Sequence, residues 1–417
     1  MTTEANSKAA SAPGFWGWLN KRLPVDFLWR SQWADYIAPK NFNFWYFFGS
    51  LAMLVLVMQL LTGIFLTMFY KVGEATAFDS VEFIMREVNY GWLIRYLHST
   101  GASAFFLVIY LHMYRALLYG SYKAPRELLW LFGMIIYLAL MAEAFMGYVL
   151  PWGNMSYCAA TVIINLFSAI PAVGTVLVEW IRGDYGVSDA TLNRFFSLHV
   201  VAIPLVLLLL VALHLIALHE VGSNNPDGVE IKSKKGPDGI PLDGIPSHPY
   251  YTVKDILGVC VFLVGFAVVV FFLPTMGDLF LEKANFEPAN ALSTPDPISP
   301  SWYFTPYYAI LRAFPDKAMG ALAMLVAVTA FFFLPWLDRS PVKSIRYRGW
   351  IYKLFLGLFT IAFLGLMYLG LQPAQGIYVT MSRILAVPYF AFFLLMPWYS
   401  RWDPVKPVPE RVTYHHA

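Results

Sequence analysis

The 417 residues are 59% hydrophobic, 18% aromatic and 13% charged, with a net charge of +3. Soluble globular domains run at roughly 45–50% apolar and about 25% charged, so the composition excludes that class and intrinsic disorder with it. The charge gives no basic field for a nucleic acid. The two cysteines, Cys158 and Cys260, form neither a disulfide scaffold, nor a metal-spacing motif, nor a CxxCH haem-attachment site.

Residues 1–43 are mixed and polar, carrying Lys8, Lys21, Arg22, Arg30 and Lys40, with no apolar run that reads as a cleavable signal. Trp16, Trp18, Trp29 and Trp33 suit a cytoplasmic segment anchored at the membrane interface. A bilayer core of about 30 Å needs roughly 20 apolar residues in a helix. Such stretches recur at 44–70, 101–120, 128–150, 195–219, 255–274, 318–337, 350–371 and 378–398. The expectation is an all-α membrane protein of eight transmembrane helices: a four-helix bundle over 44–220, then a C-terminal four-helix part over 253–400.

Between the third and fourth spans, 151–194 holds Ile170-Pro171 and an amphipathic 175–181, as an interfacial segment would. The Gly-, Pro- and Lys-rich 221–252 reads as a mobile cytoplasmic linker. Residues 275–317 carry many prolines and a short helix near 302–311, and 401–417 form a tail. Arg115, Lys123 and Arg126 follow the second span, and Arg339, Lys343, Arg346 and Arg348 the sixth. Glu74, Asp79, Glu82 and Glu87, and then Asp278, Glu282 and Glu287, lie on the opposite side. The positive-inside rule puts both termini in the cytoplasm.

The second span holds His98 and His112, the fourth His199 and His214. At 1.5 Å per residue, each pair is about 21–22 Å apart along its axis, one member near each membrane surface. Fourteen or fifteen steps of 100° keep each pair broadly on one helix face. Both spans run in the same direction, so His98 meets His199 and His112 meets His214. Histidines in membrane spans can bond neighbouring helices or relay protons. Four at matched depths instead suit two bis-imidazole iron sites, with two non-covalent haem b groups.

Gly49 and Gly63 in the first span, like Gly133 and Gly147 in the third, repeat that fourteen-residue period, as backbones kept bare where porphyrins touch would do. Arg95 and Arg115 each lie one turn from a histidine. They are placed to pair with haem propionates, or alternatively to snorkel.

The segments GWLIRYLHSTGAS (91–103), FMGYVLPWGNMS (145–156), TLNRFFSLH (191–199), HLIALHEVGSNNP (214–226), HPYYTVKDILG (248–258) and WYFTPYYAILRAFPDK (302–317) resemble cytochrome b, the membrane core of the bacterial cytochrome bc complex, along nearly the whole chain. The resemblance implies that His98 and His199 ligate a low-potential outer haem, and His112 and His214 a high-potential inner one. It implies bifurcated oxidation of ubiquinol at the periplasmic side, electron transfer from outer to inner haem, and ubiquinone reduction at the cytoplasmic side, coupled to proton translocation.

The implied partners are a Rieske iron–sulfur protein and a cytochrome c-type subunit, in a homodimeric complex of the bacterial inner membrane, with membrane lipid and no nucleic acid. Phe145, Ala159, Pro300, Trp302 and Tyr303 carry over to the outer quinol site. His219, Ser223, Asn225, Lys254 and Asp255 carry over to the inner one, where His219 and Asp255 deliver protons and Lys254 brings them in or anchors a lipid headgroup.

Three departures from the family pattern stand out. Its outer Pro-Glu-Trp-Tyr motif reads Pro300-Ser301-Trp302-Tyr303 here, so the carboxylate thought to accept a quinol proton is missing. Glu143, where the family more often has a non-acidic residue, is the expected replacement; the other reading is a neutral acid bonded to a backbone carbonyl. Ala159 stands at a position usually glycine, so its methyl should crowd methoxyacrylate-type inhibitors. Finally, His199 and His214 are fifteen apart where respiratory members have fourteen, and a local bulge beside Pro204 would absorb the extra residue.

Two rivals remain open on sequence. One is a different membrane cytochrome b that anchors a dehydrogenase, without the outer site. The other is a proton-coupled transporter that uses the histidines without haem.

Overall fold

Among the residues that the computed structural model describes, 14–295 and 298–414, eight helices are long and apolar enough to cross a bilayer. They are Phe44–Thr67, Gly91–Tyr119, Glu127–Val149, Asp189–Val221, Tyr250–Phe272, Lys317–Leu337, Trp350–Gly370 and Gly376–Leu394. Residues 1–13, with Lys8, and 415–417 of the expected tail lie outside the described residues.

The second span begins ten residues before its apolar run. Arg95 and His98 interrupt the hydrophobicity, yet both line an internal cavity and not the lipid face. Its C-terminal end turns at Gly120, at φ +63°, where an added Cβ would stand 2.7 Å from the Lys343 carbonyl oxygen. Only glycine meets both conditions.

The fourth span is not one uniform helix. An α-helix over Asp189–Ser197 opens into a π-helical turn over Leu198–Ala202, and α-helix resumes over Ile203–Val221. Pro204 sits at the start of the second segment, where its missing N–H is tolerated. A π turn carries one residue more than an α turn, so the fifteen-residue histidine step is absorbed where the spacing predicts a bulge.

The first span packs along the second and the third along the fourth. The fifth span does not join a C-terminal four-helix part as expected. It packs on the first and second spans, with Phe266 and Val270 buried against Ala104. The sixth, seventh and eighth spans instead gather around a short helix, Thr305–Ala313, close to the predicted 302–311. On the outer side, Trp152, Ile164, Val178, Leu192 and Phe195 form a separate core beneath the amphipathic helix Gly174–Arg182.

The linker 221–252 makes many contacts with distant segments. Residues Gly244–Pro246 pair antiparallel with Ile37–Pro39. Buried Asp227 accepts hydrogen bonds from Arg346, Tyr347, Asn41 and Thr413. Glu230 pairs with Arg126 and Lys343, and Asp243 with Lys40 and Arg411. Charged residues that read as solvated in sequence find partners on distant segments. The C-terminal residues 411–413 help to hold the linker down.

Candidate functional site

The four histidines meet as two pairs, first with first and second with second. The ring centres of His98 and His199 are 6.2 Å apart, and those of His112 and His214 are 6.5 Å apart. Imidazole nitrogens bind a metal at about 2 Å. Both separations therefore suit one metal ion between two facing rings.

In the outer pair, the Thr62 hydroxyl donates to the Met58 carbonyl, so it accepts from Nδ1–H of His98 at 2.9 Å. Nδ1–H of His199 is shared between the Glu143 carbonyl oxygen at 2.9 Å and its Oε1 at 3.0 Å. Donation from Nδ1 fixes the tautomer that leaves the Nε2 lone pair free for a metal. In the inner pair, Nδ1 of His112 has no hydrogen-bond partner among the described residues, and the His214 ring faces the Leu129 carbonyl without a well-formed hydrogen bond.

The four glycines each stand against one of the four histidine rings. A Cβ on Gly63 would lie 3.2 Å from Cε1 of His98, and one on Gly147 2.4 Å from Cε1 of His199. On Gly49 and Gly133 the nearest atoms are Cε1 of His112 at 3.6 Å and of His214 at 3.3 Å. At each of the four positions the bare backbone leaves room for an imidazole edge.

Arg95 lines the outer cavity with His98, His199, Gly63 and Gly147. Arg115 lies over the Tyr46 ring at 4.8 Å, with its Nε buried and without a hydrogen-bond partner among the described residues. A buried guanidinium with an unpaired Nε beside facing imidazoles fits a carboxylate-bearing group such as haem.

Glu143 lies apart from Phe145, Ala159 and Pro300 but shares a cavity with Tyr303. Its side chain lines the histidine cavity and engages His199, because that ring is the donor within its reach. Phe145, Ala159 and Pro300 come together elsewhere, in an apolar cavity of about 920 Å³ with Phe304 and Tyr307. Trp302 turns away from it, donating from Nε1 to Ser103 Oγ at 3.1 Å, the partner its buried indole requires. Tyr303 lines the histidine cavity, stacked on Phe106 with ring centres 3.9 Å apart. The loop 298–304 thus forms a wall between the two cavities.

A polar cluster that the motif analysis missed stands at this wall. Tyr148 donates to Glu282 Oε2 at 3.0 Å, and Asn285 donates to the same oxygen at 3.2 Å and to Tyr148 at 3.0 Å. The Asn285 side-chain Oδ1 in turn accepts from the Ser156 N–H and hydroxyl. Burial raises the Glu282 carboxyl to about 7, against these hydrogen bonds and with the help of nearby Asp278. Its charge also acts on the Tyr303 phenol.

On the inner side, the His219 ring lies 4.7 Å from Tyr36, whose hydroxyl is 3.0 Å from Ser223 Oγ. Asp255 accepts from Ser50 at 3.0 Å, and Lys254 donates to Tyr250 at 2.7 Å. Asn225 is corrected. Fully buried, it bonds the Val229 carbonyl and caps the Asp227 and Val229 amides, so it shapes the linker turn.

Residues 33–222 match the family described as Cytochrome b/b6/petB, and 288–390 the one described as Cytochrome b(C-terminal)/b6/petD. Cytochrome b of Allochromatium vinosum is 59% identical over 406 residues, 95% of this chain and 97% of that one. Cytochrome b of Rickettsia bellii is 49% identical over 413 residues, 99% of this chain and all of that one. A chain of a solved hyperthermophilic respiratory complex III superimposes with a TM-score of 0.85 at 38% identity, covering 92% of this chain and 98% of that chain. Eight spans with paired histidines and this degree of likeness lead to one conclusion: the chain belongs to the cytochrome b family, as the haem-binding membrane subunit of a bc complex in respiratory electron transfer.

Proposed function

We propose that this cytochrome b carries two haem b groups and oxidises ubiquinol on the outer side of a bacterial inner membrane, with the two electrons of each quinol taking separate routes. Protons leave on that side, and ubiquinone is reduced with proton uptake on the cytoplasmic side, where both termini lie. The carrying observation is the pair of facing histidine sets, one toward each end of the same two spans, at separations that suit one metal ion each. His98 and His199 would hold the outer haem and His112 and His214 the inner one; when bound, these groups supply one-electron carriers between the two membrane faces. Arg95 and Arg115 would answer their propionates.

The chain's own residues do the remaining work. The apolar cavity lined by Phe145, Ala159 and Pro300 suits a quinol ring and tail and excludes water from it. With Glu143 committed to His199, we assign the outer proton to Glu282. Its carboxyl titrates near 7, and Tyr148 links it to the wall of the histidine cavity. On the inner side, His219 with Tyr36 and Ser223 orients the quinone, and Asp255, held by Ser50, supplies protons.

The partners of this reading are a Rieske protein and a cytochrome c-type subunit, in a dimeric complex, and the likeness to a respiratory complex III supports a multi-subunit assembly. The first-four and last-four division is better drawn with the fifth span joined to the N-terminal bundle. A reduced-minus-oxidised spectrum of the purified complex tests the reading. Two b-haem components are expected, and His98→Leu should remove one of them. Colourless material, or a single component in the wild type, would overturn it.

A further inference from the structure

The two histidine pairs differ in one charged group. Glu143 Oε1 lies 3.0 Å from His199 Nδ1, both side chains are 16% exposed, and Glu143 Oε2 has no hydrogen-bond partner among the described residues. The other three rings lack a carboxylate at Nδ1. His98 has the neutral Thr62 hydroxyl, His112 has no partner, and His214 faces the Leu129 carbonyl. Arg95 lines the same cavity as Glu143 but reaches it from the second span, opposite the third.

A carboxylate on the far nitrogen of a metal-binding imidazole raises the basicity of the near one. A more basic axial ligand favours the oxidised metal, so the same contact that orients the ring also lowers its reduction potential. We propose that Glu143 is a positioning residue for His199 which, through the shared Nδ1–H, lowers the potential of the outer haem and so widens its gap to the inner one. This rests on the two-haem reading above and adds to it a contribution of this chain's own to the inward direction of electron flow.

The test is an anaerobic redox titration of the b-haem absorbance in the assembled complex, with low-temperature electron paramagnetic resonance of the two low-spin signals. In Glu143→Gln, the equilibrium constant for passing an electron from outer to inner haem should fall about tenfold, or about 59 mV for one electron. The inner component should stay in place, and the outer resonance should shift. Glu143→Asp should restore much of the wild-type value. If Glu143→Gln loses the outer haem, Glu143→Thr and Glu143→Asp decide: the proposal requires that only the first move the outer potential.

An unmoved outer component in a variant that keeps both haems overturns this proposal alone, as does an equal movement of both components. A wild-type titration with fewer than two components overturns the two-haem reading and this proposal with it.

Discussion

The outer and inner histidine pairs share a helix pair and a repeat length, yet they are built differently. Both outer rings hand Nδ1–H to an acceptor, and their glycines leave 3.2 and 2.4 Å to a virtual Cβ. The inner rings lack such close acceptors, and their glycines leave 3.6 and 3.3 Å. Ring planes cross at 90° outside and 60° inside. Metal spacing is a property of the helices, whereas orientation and charge come from the neighbours. The outer site is the more tightly determined of the two.

The largest expected effect concerns the acid on the outer side. Glu282→Gln should slow quinol oxidation by roughly 10²-fold or more, the usual worth of a positioned base. Acceptance needs the carboxylate, whose share grows as pH rises through about 7. Tyr148, Asn285, Tyr303 and Asp278 surround this carboxyl, and Lys283 pairs with Asp278. The wild-type rate should therefore climb across that range and level off, and the variant should lose the climb. Quinol–cytochrome c kinetics against pH would show it, and an unchanged profile would return the role to another group.

A second experiment breaks the symmetry of the glycines. Gly147→Ala places a methyl at 2.4 Å from His199, where overpacking costs about 1–3 kcal/mol, and should displace or lose the outer haem. Gly49→Ala meets His112 at 3.6 Å, ordinary contact, and should keep both. Difference spectra of the two variants distinguish a tight outer site from a uniform one.

Smaller in effect, Ala159→Gly should open the outer apolar cavity and tighten methoxyacrylate-type inhibitors by about 1–3 kcal/mol, roughly 5–150-fold, in a titration of inhibition.

The smallest effect falls on the clamp that holds the linker 221–252. Burial alone would raise Asp227, Glu230 and Asp243, but their hydrogen-bonded Arg, Lys, Tyr and backbone partners hold all three below the usual carboxyl range. Such groups stabilise the fold above their unfolded value of about 4, and the contribution is lost as pH falls through the lower folded value. The melting temperature in detergent should drop over that acidic window, and less steeply in Asp227→Asn.

The sequence discloses most of the fold because spans announce themselves by hydrophobicity and histidines by their repeat. Even the bulge at Leu198–Ala202 follows from one surplus residue beside Pro204. What stays hidden is the side-chain environment. Thr62, Tyr36, Ser50 and Asn285 carry no local signal, since their roles depend on segments far away in the chain. Glu143 misleads for the same reason: its depth is legible, but which of two neighbouring cavities it faces is not. Glu282 reads as a solvated loop acid until Tyr148 is found against it. Asn225 sits inside a family string, yet its amide is spent on its own turn.

The linker clamp has a consequence for biogenesis. Asp227 and Asp243 are translated halfway along the chain, but their backbone partners at Thr413 and Val412 emerge only after all eight spans. Until then two buried carboxylates lack part of their solvation, and the clamp stays open. Completion of the clamp therefore waits for the segment that follows the last span.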